Sequence, residues 1–80
     1  MTVRLDGQTI YLSGECRVED AEPLVGLLVG SSSVQVDVSG AEGLHTAVIQ
    51  VLIAFKPTLI GRPANPFLQD WVIPLLQSAP

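Results

Sequence analysis

The sequence predicts an α/β fold: a mixed four-stranded sheet with helices packed against it, in the order β-β-α-β-α-β-α, as one domain over residues 1–80. Three observations carry this. Two short segments alternate in polarity on either side of an Asp-Gly pair, the pattern of an antiparallel hairpin. Two later strand-like segments each follow a segment of helical period, and strand–helix–strand order implies parallel crossovers. Apolar residues make up 48% of the chain against 15% charged, so there is a core to bury.

Taken in order, Thr2 to Asp6 places Val3 and Leu5 on one face, and Thr9 to Ser13 does the same with Ile10 and Leu12. Asp6-Gly7 is the turn between them, Tyr11 lies on the outer face, and Gly14 is the expected end of the hairpin. Ala21, Leu24, Val25 and Leu28 then recur at i, i+3, i+4, i+7, which is one stripe of a helix. Asp20 suits its cap, Glu22 its positive dipole end and Gly30 its stop. Pro23 falls in the first turn, where a missing N–H costs little. The acidic stretch Glu15 to Glu22 reads as a solvated face with a capping role, the alternative being contact with a basic patch on a partner.

Ser31 to Ser33 is read as a loop, and Val34, Val36 and Val38 alternate with Gln35 and Asp37 as a third strand. Ser39-Gly40-Ala41-Glu42-Gly43 is expected to be a loop. Thr46 to Phe55 follows as a helix that is apolar almost all round and stops before Pro57, so cover on more than one side is expected, part of it from a neighbouring molecule. Thr58 to Ile60 is a short strand ending at Gly61. Asn65-Pro66 is a helix start, with an N-cap and proline at the first helical position. Phe67, Leu68, Trp71, Val72 and Leu75 are read as its apolar stripe, Phe67 and Trp71 being core anchors, with a kink or an end at Pro74.

Function classes narrow quickly. The net charge is −4, and Arg4, Arg17, Lys56 and Arg62 are scattered, which disfavours nucleic acid and anionic lipid as partners. Cys16 stands alone, so no internal disulfide is expected, and it reads as a small apolar filler near a strand end. No apolar run approaches the roughly 20 residues a bilayer requires. Direct membrane insertion is therefore not expected, the opening residues lack the pattern of a signal peptide, and the expected compartment is the cytoplasm. No nucleophile, base and orienting group can be assembled, Gly40 and Gly43 fit no phosphate-binding fingerprint, and no second histidine accompanies His45. A non-catalytic protein without metal or cofactor is the expectation.

The segment Val36-Asp37-Val38-Ser39-Gly40-Ala41-Glu42-Gly43-Leu44-His45-Thr46-Ala47 resembles the STAS family, named for sulphate transporters and anti-sigma factor antagonists. Asp37 and Ser39 match its strand-end Asp-Leu-Ser, Leu44 an apolar position, and Thr46-Ala47 the hydroxyl and small residues that open an apolar helix. His45 and Val48 stand where the family usually has Asp and Gly. The resemblance implies a regulatory interaction module of bacterial partner switching, in which Thr46 is the phosphoacceptor and the partner is a serine-kinase anti-sigma factor or another ATPase. The docking surface it implies is Ser39, Gly40, Glu42, Gly43, His45, Thr46, Ala47, Ile49 and Gln50. A phosphate on Thr46 is expected to sit on free helix N-terminal amides, and without modification its hydroxyl would serve as the helix cap. The Thr46-Ala47 pair also resembles STAS-like accessory subunits of lipid-transport ABC systems, which implies a second function of a different kind.

Overall fold

The computed structural model describes residues 2–30 and 33–78. Its strands are β1 (Val3–Asp6), β2 (Thr9–Cys16), β3 (Gln35–Leu44) and β4 (Thr58–Ile60), and its α-helices are α1 (Ala21–Gly30), α2 (Thr46–Phe55) and α3 (Ile73–Ser78). The serine loop expected at 31–33 lies largely outside the described residues; Ser33 is a bend.

The four strands form one mixed sheet in the order β1-β2-β3-β4, with β1 antiparallel to β2 and the other two pairs parallel. Both crossovers therefore step the same way along the sheet. With the usual right-handed sense, that puts α1 and α2 on one face, where they touch each other. Val3, Ile10, Leu12, Val36 and Val38 point to that face and are buried against Leu24 and Leu28 of α1, Val48 and Leu52 of α2, and Leu68, Val72 and Ile73 of the C-terminal segment. The opposite face is polar, with Arg4, Thr9, Tyr11, Gln35 and Asp37, and Arg4 lies over the Tyr11 ring at 4.5 Å from its centroid.

Two sequence expectations give way at the end of the sheet. β2 runs on past Gly14 to Cys16, and the expected loop at 39–43 is the second half of β3. The reason is a pair of register shifts: Tyr11 and Ser13 oppose Asp37 and Gly40, and Gly14 and Glu15 oppose Ala41 and Gly43, so β3 carries an extra residue each time. Each extra residue inverts the alternation, which is why the buried series is Val36, Val38 and then Ala41. Gly14, with φ of 69°, supplies the left-handed conformation the irregular pairing needs.

Asp20 serves a different amide from the one expected. A 3₁₀ turn, Val18–Asp20, precedes α1, and the Asp20 carboxylate accepts the Arg17 backbone N–H at 2.7 Å. At the other end of the chain, Asn65 caps the last helical segment as predicted: its Oδ1 accepts the Phe67 N–H at 2.9 Å and the Leu68 N–H at 3.4 Å. Pro74 does not end this segment. A π-helical turn, Leu68–Val72, ends two residues before it, with the Ile73 N–H reaching the Leu68 carbonyl, and α3 carries Pro74 as its second residue and continues to Ser78. Proline cannot donate to the carbonyl four residues back and crowds it; a widened turn relieves that crowding.

Candidate partner-docking site

β3 delivers the chain into α2 with one intervening residue, His45. Its backbone N–H donates to the Cys16 carbonyl at 2.8 Å, fixing it to the end of β2. Its backbone is extended, with φ −63° and ψ 149°, and its ring Nδ1 accepts the Ala47 N–H at 3.0 Å. The His45 carbonyl accepts from Val48 at 2.9 Å and from Ile49 at 3.1 Å. His45 is thus the N-cap of α2, in place of the expected Thr46, because it is the last residue with extended dihedrals and its ring reaches two residues forward.

Thr46 is the first residue of the helix and is exposed. The tip it occupies is less open than the sequence suggests, since the Ala47 and Val48 amides are already engaged by His45. Gln50, Ile53 and Ala54 continue the exposed side of α2, while Val48 and Leu52 are buried on the sheet. Ala47 and Ile49, both expected in the docking surface, are half-buried, and Ile49 packs against the core. Each is three residues from one of the exposed pair, Ile49 from Thr46 and Ala47 from Gln50, so the two border the exposed ridge on either side. The helix is therefore covered on its sheet side, with its other side facing outward.

The strand-end residues divide between two neighbouring grooves. Ser39, Gly40, Ala41 and Glu42 line one, facing Ala64, Asn65 and Pro66. Gly43, Leu44 and His45 line the other, of about 500 Å³, with Glu15, Cys16, Arg17, Asn65, Phe67 and Leu68. Asn65 separates and ties them, because its Nδ2 donates to the Glu42 carbonyl at 2.8 Å. The Glu15 carboxylate lies directly over Gly43, occupying the space a side chain there would need. Ser39 is exposed but locally bound, its N–H and hydroxyl donating to Asp37 Oδ1 at 2.8 and 2.6 Å.

Cys16 is the buried filler the sequence suggests, at 2% exposure. Burial, followed by the nearby charges of Asp20 and Glu15, pushes its thiol up to about 11, so it stays neutral. Asp20 moves the other way: hydrogen bonds from the Thr2 side chain and the Arg17 backbone hold its carboxyl below the usual carboxylate range.

The largest departure from expectation is beside this site. Leu68 and Val72 are buried, but Phe67 (63% exposed), Trp71 (72%) and Leu75 (62%) face outward. Phe67 and Trp71 are not core anchors. The five apolar residues form two parallel stripes, and the sequence carried the sign in its adjacent pairs Phe67-Leu68 and Trp71-Val72, which one narrow helical face cannot accommodate together. Glu15 and Arg17, which lie outside the expected docking surface, also line the groove.

Among the described residues no three His, Cys, Asp or Glu side chains converge as a metal site would require, and no helix is long and apolar enough to cross a membrane. Comparison with family models, with curated proteins and with solved structures gives no match for the chain.

Proposed function

We propose that the chain is a non-catalytic interaction module of the STAS type, working in the bacterial cytoplasm, which docks a protein partner at the junction of β3 and α2 and is switched by phosphorylation of Thr46. The observation that carries the reading is the position of Thr46: exposed, at the first turn of a helix seated on the sheet by Val48 and Leu52, with the strand-end grooves alongside. The order of elements in the sheet and the Asp37–Ser39 contact at the family's strand-end positions support the same reading.

A phosphate brings about −1.5 to −2 charges and three strong acceptors. On Thr46 it would compete with the His45 ring for the Ala47 amide, and it would set that charge at the centre of the docking surface. Either effect changes association without unfolding the domain. The proposed partner is a serine-kinase anti-sigma factor or a related ATPase. Thr46→Glu should weaken binding of the co-purified partner by about tenfold or more in calorimetry, while Thr46→Ala retains it. Equal affinity of Thr46→Glu and wild type defeats the switch. Intact mass of protein from its native cell reads out the phosphate itself.

His45 favours a second reading. The family's acid beside the acceptor is replaced here by a ring that closes the helix end. In a STAS-like accessory subunit of a lipid-transport ABC system, Thr46 would pack unmodified against the ATPase. Co-purification of a P-loop ATPase with a permease, and no phosphate in the intact mass, selects this reading over the first.

A further inference from the structure

We propose that the outward stripe Phe67–Trp71–Leu75, with the groove at His45 into which it runs, seats an amphipathic helix of a protein partner, apolar on one face and flanked by Lys or Arg. The proposal rests on the partner-binding reading above and specifies what the partner presents.

Geometry makes the three side chains one surface. In an α-helix four residues advance about 40° beyond a full turn, whereas in a π-turn of about 4.4 residues they fall short by a similar angle. Phe67 to Trp71 crosses the π-turn Leu68–Val72, and Trp71 to Leu75 runs mostly in α3. The two offsets oppose each other, so the stripe runs straight along the segment. Its end is fixed in space, because Asn65 caps the Phe67 amide and holds the Glu42 carbonyl.

The area suits a docking surface. With large side chains of about 150–250 Å² each, the three leave roughly 400 Å² facing water. That is the scale of a functional apolar patch and about half of one side of a standard interface. The adjoining groove, which Phe67 lines, supplies further surface.

Charge decides the occupant. Glu15 lines the groove, Asp70 is exposed at the flank of the stripe one residue before Trp71, and Glu42 stands exposed beside Asn65. Arg17 is the one cation in that lining. A second copy of a chain of net charge −4 would bring the same acids against these, and an anionic lipid surface would be repelled likewise. An apolar helix with cationic flanks meets both the stripe and its rim.

Trp71 is the only tryptophan, so its emission reports on the stripe directly. The full chain is titrated with a synthetic leucine–lysine amphipathic helix, and separately with the same peptide carrying Glu for every Lys. The expected result is a blue shift with the lysine peptide that weakens as salt rises, and about a tenfold weaker response to the glutamate peptide. Phe67→Ser and the double variant Glu15→Gln, Asp70→Asn should each lose about tenfold in affinity. Phe67 is exposed, so that variant should keep its fold by circular dichroism; if it does not, Leu75→Ser is read instead. No shift, an equal shift with the glutamate peptide, an equal shift with neutral phosphatidylcholine vesicles, or a shift on concentrating the protein alone would each overturn the proposal. If the peptide fails while a co-purified partner binds and Thr46→Glu weakens it, the stripe is not the seat and the partner-binding reading stands. If the peptide behaves as expected while Thr46→Glu changes nothing, the stripe stands and the switch falls.

Discussion

Asn65 holds Glu42 by its backbone: the side-chain Nδ2 of the first donates to the carbonyl of the second at 2.8 Å, while Oδ1 of the same amide accepts the Phe67 N–H at 2.9 Å. One side chain therefore caps a helical segment and anchors it to the far end of β3. An aspartate would keep the acceptor but set a carboxylate against a carbonyl; an alanine would lose both bonds. Losing a cap costs about 0.5–2 kcal/mol, and a further hydrogen bond about 1 kcal/mol. Asn65→Ala should therefore destabilise by about 2 kcal/mol in denaturant titration. Asn65→Asp should cost less, and its Phe67 amide should stay better protected from hydrogen exchange than in Asn65→Ala.

The cap on α2 makes a second prediction. The His45 ring accepts the Ala47 amide, and the helix behind has only ten residues. His45→Ala removes the acceptor and should cost about 0.5–2 kcal/mol. His45→Asn should recover most of it, since asparagine is among the strongest N-caps. The Ala47 amide chemical shift and its exchange rate separate a lost cap from a general loosening. Recovery with asparagine but not alanine is the expected pattern.

Much of the fold is legible in the sequence because local signals agree with the tertiary arrangement. The hairpin, the stripe of α1 and the Asn65-Pro66 start each follow from rules that act over a few residues. Ser39 to Gly43 is not legible as strand, since two extra residues in β3 break the alternation that identifies one. Thr46 is legible in place but not in role, as capping depends on which residue last holds extended dihedrals, and a histidine ring is an uncommon cap. The outward stripe at Phe67, Trp71 and Leu75 reads as core because an aromatic at helical spacing is buried more often than not, and only the sheet's limited width decides which of two stripes it covers.

Two glycines on this end of the sheet should respond differently to alanine. Gly61 has φ of 82°, and a Cβ there would lie 2.6 Å from Asp37 Oδ1 and 3.0 Å from the Ser39 backbone nitrogen. Left-handed strain alone costs about 1–2 kcal/mol, and the backbone contact cannot move aside. Gly43 is obstructed by the Glu15 carboxylate, the far end of a flexible and exposed side chain. Gly61→Ala should destabilise by about 2 kcal/mol or more, and Gly43→Ala by about 1 kcal/mol or less as Glu15 swings away. Paired denaturation curves check the ordering, and Gly43→Ala should also leave Cys16 buried.

Alkaline pH should expose the cost of keeping Cys16 neutral. Its thiol lies at about 11 in the fold against 9.0 when unperturbed, chiefly through burial and then through the charges of Asp20 and Glu15. Below about pH 9 the thiol is protonated whether the chain is folded or not, and it adds no pH dependence. Between the two values the unfolded chain releases the proton and the folded chain keeps it, so the unfolded state binds fewer protons and stability falls as pH rises. The loss accumulated across that interval is at most about 2.7 kcal/mol. Unfolding free energies measured from pH 8 to pH 11 should decline in the wild type, and Cys16→Ala, though less stable at pH 8, should show a flatter profile over the same interval. The native thiol should also react far more slowly with iodoacetamide at pH 8 than after unfolding in urea. Equal slopes for the two proteins would place the alkaline sensitivity on other groups and remove Cys16 from the account.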